Sequence, residues 1–182
     1  MTLEYFEHFV NIKTDMLSSI LYSKDPKGDE FYPLLASICA IGLDANVAVK
    51  KEAHLTAMTA GDKLLKFGLR LRKRWLKDGT LETASTVIRN TLVVKGKQYA
   101  LGKDRLSNFK RQALPLYKFP IQALIGNVAK HLACVDEFID MNVTPSKELA
   151  EELTKDIMCY GVLLTALAID EMKSENMGDE NE

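Results

Sequence analysis

Residues 119–141 read FPIQALIGNVAKHLACVDEFIDM. Ile121, Leu124, Ile125, Val128, Leu132, Val135 and Ile139 recur at steps of three and four, which places them on one side of a 3.6-residue helix. Pro120 suits the first helical position, where its missing N–H would have no partner anyway. The opposite side is unusual: Ala123, Gly126, Ala133 and Cys134 surround Lys130. Residues that small let a second helix or a ligand come close, and a lysine among them can reach a phosphate or simply snorkel to solvent.

The same period extends in both directions. Downstream, Thr144, Pro145 and Ser146 signal the start of a last long helix ending near Lys173. Upstream, a short helix is expected over Arg105–Leu114, after a polar, glycine-containing connection from Lys95 to Asn108. Thr80 opens a helix carrying Val87, Ile88 and Leu92, and Thr59 with Asp62 opens one that stops at Asp78–Gly79. A helix from Pro33 toward Lys50 or Leu55, a breaker at residues 24–29 (KDPKGD) and a first helix capped by Thr2 complete the pattern. Strand alternation is sustained nowhere. The expectation is an all-α bundle of six to seven helices. Residues 1–80 form a region of unassigned role, 81–173 a second helical region, and 174–182 a disordered tail.

Composition excludes several function classes. With 182 residues and 47% hydrophobic content, the chain can bury a substantial core. The 24 basic and 25 acidic residues leave a formal charge of −1, so net charge predicts neither nucleic-acid nor membrane binding. Cys39, Cys134 and Cys159 all lie in apolar stretches without CxxC spacing, which argues for buried thiols in a reducing compartment. Glu4 and Glu7 spoil a signal peptide, and the apolar window from Pro33 to Val49 is interrupted by Asp44 and Asn46. The location expected is therefore cytoplasmic.

Two charge patterns stand out. Lys63, Lys66, Arg70, Lys73, Arg74 and Lys77 share one face of their helix. They form either an anion surface for phosphates or nucleic acid, or a solvated face balanced by acids elsewhere. On the last helix, Glu148, Glu152 and Asp156 stand four apart, and Tyr160 extends the row. Leu149, Leu153 and Ile157 adjoin them, so the row borders the apolar face. Carboxylates crowded there need a cation, a proton or basic partners, and Mg²⁺ would take such oxygens. Dipole compensation accounts for Glu148 alone. His131 has no partner visible in the sequence, and Glu137 with Asp140 reads best as a solvated helix end.

From Lys95 onward the order of residues resembles a known family. It runs Lys95, Tyr99, Asn108, Phe109, Lys130, Glu148, Glu151, Asp156 and Tyr160. The pattern is similar to the bacteriophage nucleotide-modification-associated domain, a relative in style of the MazG-like all-α nucleoside triphosphate pyrophosphohydrolases, and spans about residues 82–172. The resemblance implies a MazG-like C-terminal half, phosphorylated nucleotide as ligand, and a homo-oligomer. By that resemblance Glu148, Glu152 and Asp156 hold Mg²⁺, while Glu152, Asp156 and Lys130 carry catalysis. Lys95, Tyr99, Asn108, Phe109 and Tyr160 bind substrate. Gln98, Ala100 and Ala129 depart from the pattern, and Ala129 replaces an acidic residue that would ligate metal. That change weakens hydrolysis more than nucleotide binding. The alternative is a non-catalytic phage protein that sequesters a nucleotide or binds a host protein or nucleic acid.

Overall fold

The structure, a computed structural model, describes residues 1–15, 50–78, 80–95, 97, 104–116 and 119–179. Six α-helices appear among them, and no strand. They are α1 (Leu3–Asp15), α2 (Lys50–Leu76), α3 (Leu81–Arg89), α4 (Ser107–Leu116), α5 (Pro120–Asp140) and α6 (Lys147–Asp179). A π-helical turn, Asn90–Lys95, continues α3. The all-α expectation is met. No helix among the described residues is long and apolar enough to cross a membrane. The expected helix from Pro33 and the breaker at 24–29 lie outside the described residues.

Helix starts follow the capping chemistry. Thr80 adopts an extended φ/ψ, and its hydroxyl accepts from the Thr83 N–H. Ser146 accepts from the Leu149 N–H at 3.3 Å. At α5 the Gln122 side chain reaches back to accept from the Phe119 N–H, and Pro120 follows as the first helical residue. Lys77 closes α2 at φ 54, in the left-handed region.

Two boundaries differ from expectation. Thr59 and Asp62 do not start a helix, because α2 runs unbroken from Lys50. Thr59 is accommodated inside it by donating its hydroxyl to the Leu55 carbonyl one turn back, and Asp62 turns outward to Lys13 of α1 at 2.6 Å. At the other end α6 continues to Asp179, six residues past the expected stop at Lys173. No proline interrupts that stretch, and its glycine comes only at 178.

The core is one contiguous cluster. It draws Phe6 and Val10 from α1, Leu64, Leu65 and Leu69 from α2, and Ile88 from α3. Leu124, Val128 and Leu132 join from α5, with Ile157, Leu164 and Leu167 from α6. Helices α1 and α2 therefore share their core with the C-terminal half. Each fully buried aliphatic side chain contributes about 1.5–3 kcal/mol relative to exposure. The closest approach is between α2 and α6, where Gly61 and Gly161 face each other backbone to backbone.

Salt bridges pin α4 to this core. Asp104 and Asp170 share the Lys110 ammonium, at 2.7 Å each, and the Met1 amino group, at 3.2 and 2.7 Å. Desolvation of Asp104 is outweighed by its bonds to Lys110, the Leu106 N–H and the Met1 amino group, so its carboxyl sits below the usual range. The start of α4 is thus fixed against α6, which sets the position of the next two side chains, Asn108 and Phe109.

Candidate functional site

A cleft of about 470 Å³ opens where the π-helical turn, α4, α5 and α6 meet. That size suits a small organic ligand, for which pockets run on the order of 300–1,000 Å³. Its walls have distinct characters. Phe6, Leu92, Phe109 and Leu163 are apolar. Asn108, Gln112 and Asn127 present carboxamides, Arg105 and Lys155 bring positive charge, and Asp156 with Tyr160 comes from α6. Thr91, on the π-helical turn, lines the wall while donating its hydroxyl to the Val87 carbonyl at 2.8 Å. Such turns often occur at functional sites because the extra residue re-aims the side chains that follow.

Asn127 donates to the Gln112 carboxamide oxygen at 3.2 Å, linking α5 to α4 across the cleft. The bond leaves the Gln112 amino group and the Asn127 oxygen for a ligand, a donor beside an acceptor. Cys159 is buried at the cleft wall, and burial pushes its thiol up to about 12, so it lines the site as an apolar group.

Asp156 owes its state to α5. His131 Nε2 lies 3.2 Å from Asp156 Oδ2, and His131 Nδ1 lies 3.0 Å from the Asn127 carbonyl oxygen. A carbonyl and a carboxylate only accept, so the arrangement favours the doubly protonated ring, in which both nitrogens donate. The hydrogen bond to Asp156 raises the His131 pKa against the opposing effect of burial. For Asp156, burial would raise the carboxyl, but the His131 bond and the charges of Lys155 and His131 prevail and hold it low. Lys155 Nζ lies 3.4 Å from the other oxygen, Oδ1. The Tyr160 ring packs edge-on against His131, with centroids 5.1 Å apart and planes at 62°. Burial, ahead of the Asp156 charge, raises the Tyr160 phenol, which remains a neutral donor.

The predicted residues divide cleanly. Asn108, Phe109, Asp156 and Tyr160 line the one cleft although they come from two helices far apart in sequence. Glu148 and Glu152 are exposed and outside it, as is Lys130 on α5. Tyr99 lies outside the described residues, and of Lys95 only the backbone is described. Among the described residues no three His, Cys, Asp or Glu side chains gather closely enough to hold a metal ion. Helix geometry gives the reason: Glu148 and Asp156 are separated by about 12 Å along the α6 axis. Both Asp156 oxygens also already face cations. The expected three-carboxylate Mg²⁺ site does not fit these residues.

His131 takes the place expected of Lys130, turning toward α6 while its neighbour faces solvent. Arg105, Gln112, Asn127 and Lys155 also join the cleft without having been singled out. A trace of this was present in the sequence, since Arg105, Asn108 and Gln112 stand three and four apart. The pairing of His131 with Asp156 bridges 25 positions and left no local signal. No family model, curated protein or solved structure matches this chain.

Proposed function

We propose that this cleft binds a small phosphorylated nucleotide. The observation that carries the reading is the convergence of Asn108, Phe109, Asp156 and Tyr160 on one cleft that also holds Arg105 and Lys155. Such a ligand has three chemically different parts, and the lining offers a counterpart to each. Aromatic rings accept a planar base by stacking, at about 1–3 kcal/mol per base in other proteins. Carboxamides pair with base or sugar edges. Arginine and lysine neutralise phosphate, arginine through its planar fork. Asp156 stays ionised beside His131 and suits a sugar hydroxyl as a hydrogen-bond acceptor.

Binding is favoured over hydrolysis by the state of Asp156. A carboxylate held low by two cations is a poor base for activating water. Nucleotide metabolism or modification in a phage is the setting that the resemblance supplies, and a homo-oligomer belongs to the same proposal. The test is calorimetry on a panel of nucleoside mono-, di- and triphosphates, with and without Mg²⁺, followed by chromatography of the products. The expected result is saturable binding weakened at least tenfold in Asn108→Ala, with the folded state retained. No binding by any nucleotide would refute the reading. Turnover in Mg²⁺ that Asp156→Asn abolishes would move it from a binder to a pyrophosphohydrolase.

A further inference from the structure

The outer face of α2 is not used by the cleft. Residues 63–77 hold seven of the chain's 24 basic residues and none of its 25 acidic ones. The rest of the chain therefore carries 17 basic residues against 25 acidic. This separation of charge is concealed in a net charge of −1.

The placement of these residues is specific. The buried side of α2 is formed by Ala57, Ala60, Leu64, Leu65, Leu71 and Trp75. At 3.6 residues per turn, Lys63, Lys66, Arg70, Lys73 and Arg74 occupy a strip about 100° wide on the opposite side, and Lys77 follows just past the end of the helix. Lys63, Lys73, Arg74 and Lys77 are exposed, and Lys66 and Arg70 are half-buried. The two acidic residues that flank the strip are committed elsewhere, Asp62 to Lys13 and Asp78 to Arg72. Arg74 donates to Asn142 at 3.4 Å, an uncharged partner that leaves its charge intact.

We propose that this strip is a sequence-independent docking surface for the backbone of duplex DNA. Charge complementarity is the basis: Lys63, Lys66, Lys73 and Arg74 span about 17 Å of α2, Lys77 follows at its end, and no acidic residue stands between them in the sequence. The strip has no aromatic ring on which single-stranded bases would stack. Lysine and arginine can meet guanine edges, but residues 63–77 hold no asparagine or glutamine to pair with adenine, so phosphate contact is what the strip chiefly offers. An α-helix enters the wide major groove of B-form DNA, whereas the deep, narrow groove of A-form RNA does not admit it.

The experiment is fluorescence anisotropy of the whole protein with a short labelled DNA duplex across a salt series. With about five phosphates neutralised, log affinity falls against log salt with a slope near −4.5, roughly 500-fold between 50 and 200 mM. Lys63→Glu, Lys66→Glu and Lys73→Glu together remove three contacts, and affinity falls more than tenfold with a slope shallower than about −2. Lysine-to-arginine changes at the same positions retain binding, which separates charge from folding. Nucleotide binding at the cleft is unchanged in the triple variant. A wild-type slope shallower than about −2 would overturn the proposal, as would equal binding by the triple variant. Tighter binding of single strands or RNA duplex would overturn it too, as would self-association through the strip without DNA binding.

Discussion

Replacing Gly161 with alanine tests how closely α2 and α6 pack. A Cβ at that position would lie 2.6 Å from the Gly61 carbonyl oxygen and 2.8 Å from the Leu65 nitrogen. Ordinary contact begins at 3.4 Å, so the two helices must part by about 0.8 Å. Both obstructing atoms are backbone, and no rotamer change relieves them. Overpacking costs about 1–3 kcal/mol, and rigid obstruction places this case near 3. Alanine returns about 1 kcal/mol of helix propensity, leaving a net loss of about 2 kcal/mol. For a chain of this length that lowers Tm by roughly 4–8 °C. Gly126, exposed on α5, is the control. There the same substitution meets solvent, and stability should rise by about 0.5–1 kcal/mol. Thermal denaturation followed by circular dichroism reads both variants. A Gly161→Ala protein as stable as the wild type would refute the close backbone approach of the two helices.

Two other predictions concern the core and the half-buried ion pair. Leu124 is fully buried, so Leu124→Ala should cost about 2–5 kcal/mol in urea denaturation, and a loss under about 1 would contradict its place in the core. The His131–Asp156 pair should make stability depend on pH. Its histidine pKa is raised above 6.5, so that contribution is complete below 6.5 and fades as pH climbs through the folded value. Its carboxyl is lowered from 3.8, so that contribution is complete above 3.8 and fades as pH falls through the folded value. The advantage of wild type over His131→Gln should therefore peak between about pH 4 and 6.5 and shrink on either side. Denaturation at a series of pH values reads it, and an advantage that grows from pH 6 to 9 would contradict the imidazolium.

Much of the fold was legible because helix signals are local. The apolar stripe of α5, the caps at Thr80 and Ser146, and Pro120 at a helix start are all relations among residues within about four positions. The same locality misled at Thr59, where a cap-forming residue found its partner one turn back inside a continuous helix. Capping residues mark a start only when the tertiary structure ends the preceding chain, and α6 packed along α2 leaves no reason to end it there.

The site was legible in part. Asp156 and Tyr160 share a row on α6, and Asn108 with Phe109 was marked only by the resemblance. Glu148 and Glu152 carry the same spacing yet remain exposed, because a row on a helix meets a cleft only where other elements crowd it. The choice between Lys130 and His131 turned on one helical step of about 100°, which sequence alone does not anchor.

The sequence by itself determined the helical class and most helix starts, and it confined seven basic residues to fifteen positions without a balancing acid. Tertiary structure decided which half of the acidic row faces a cleft, and that His131 gives Asp156 its charge partner. Periodicity fixes a side chain's angle about its own helix. Only the packing of a second helix against that face decides whether the angle points to solvent, to a core or to a ligand.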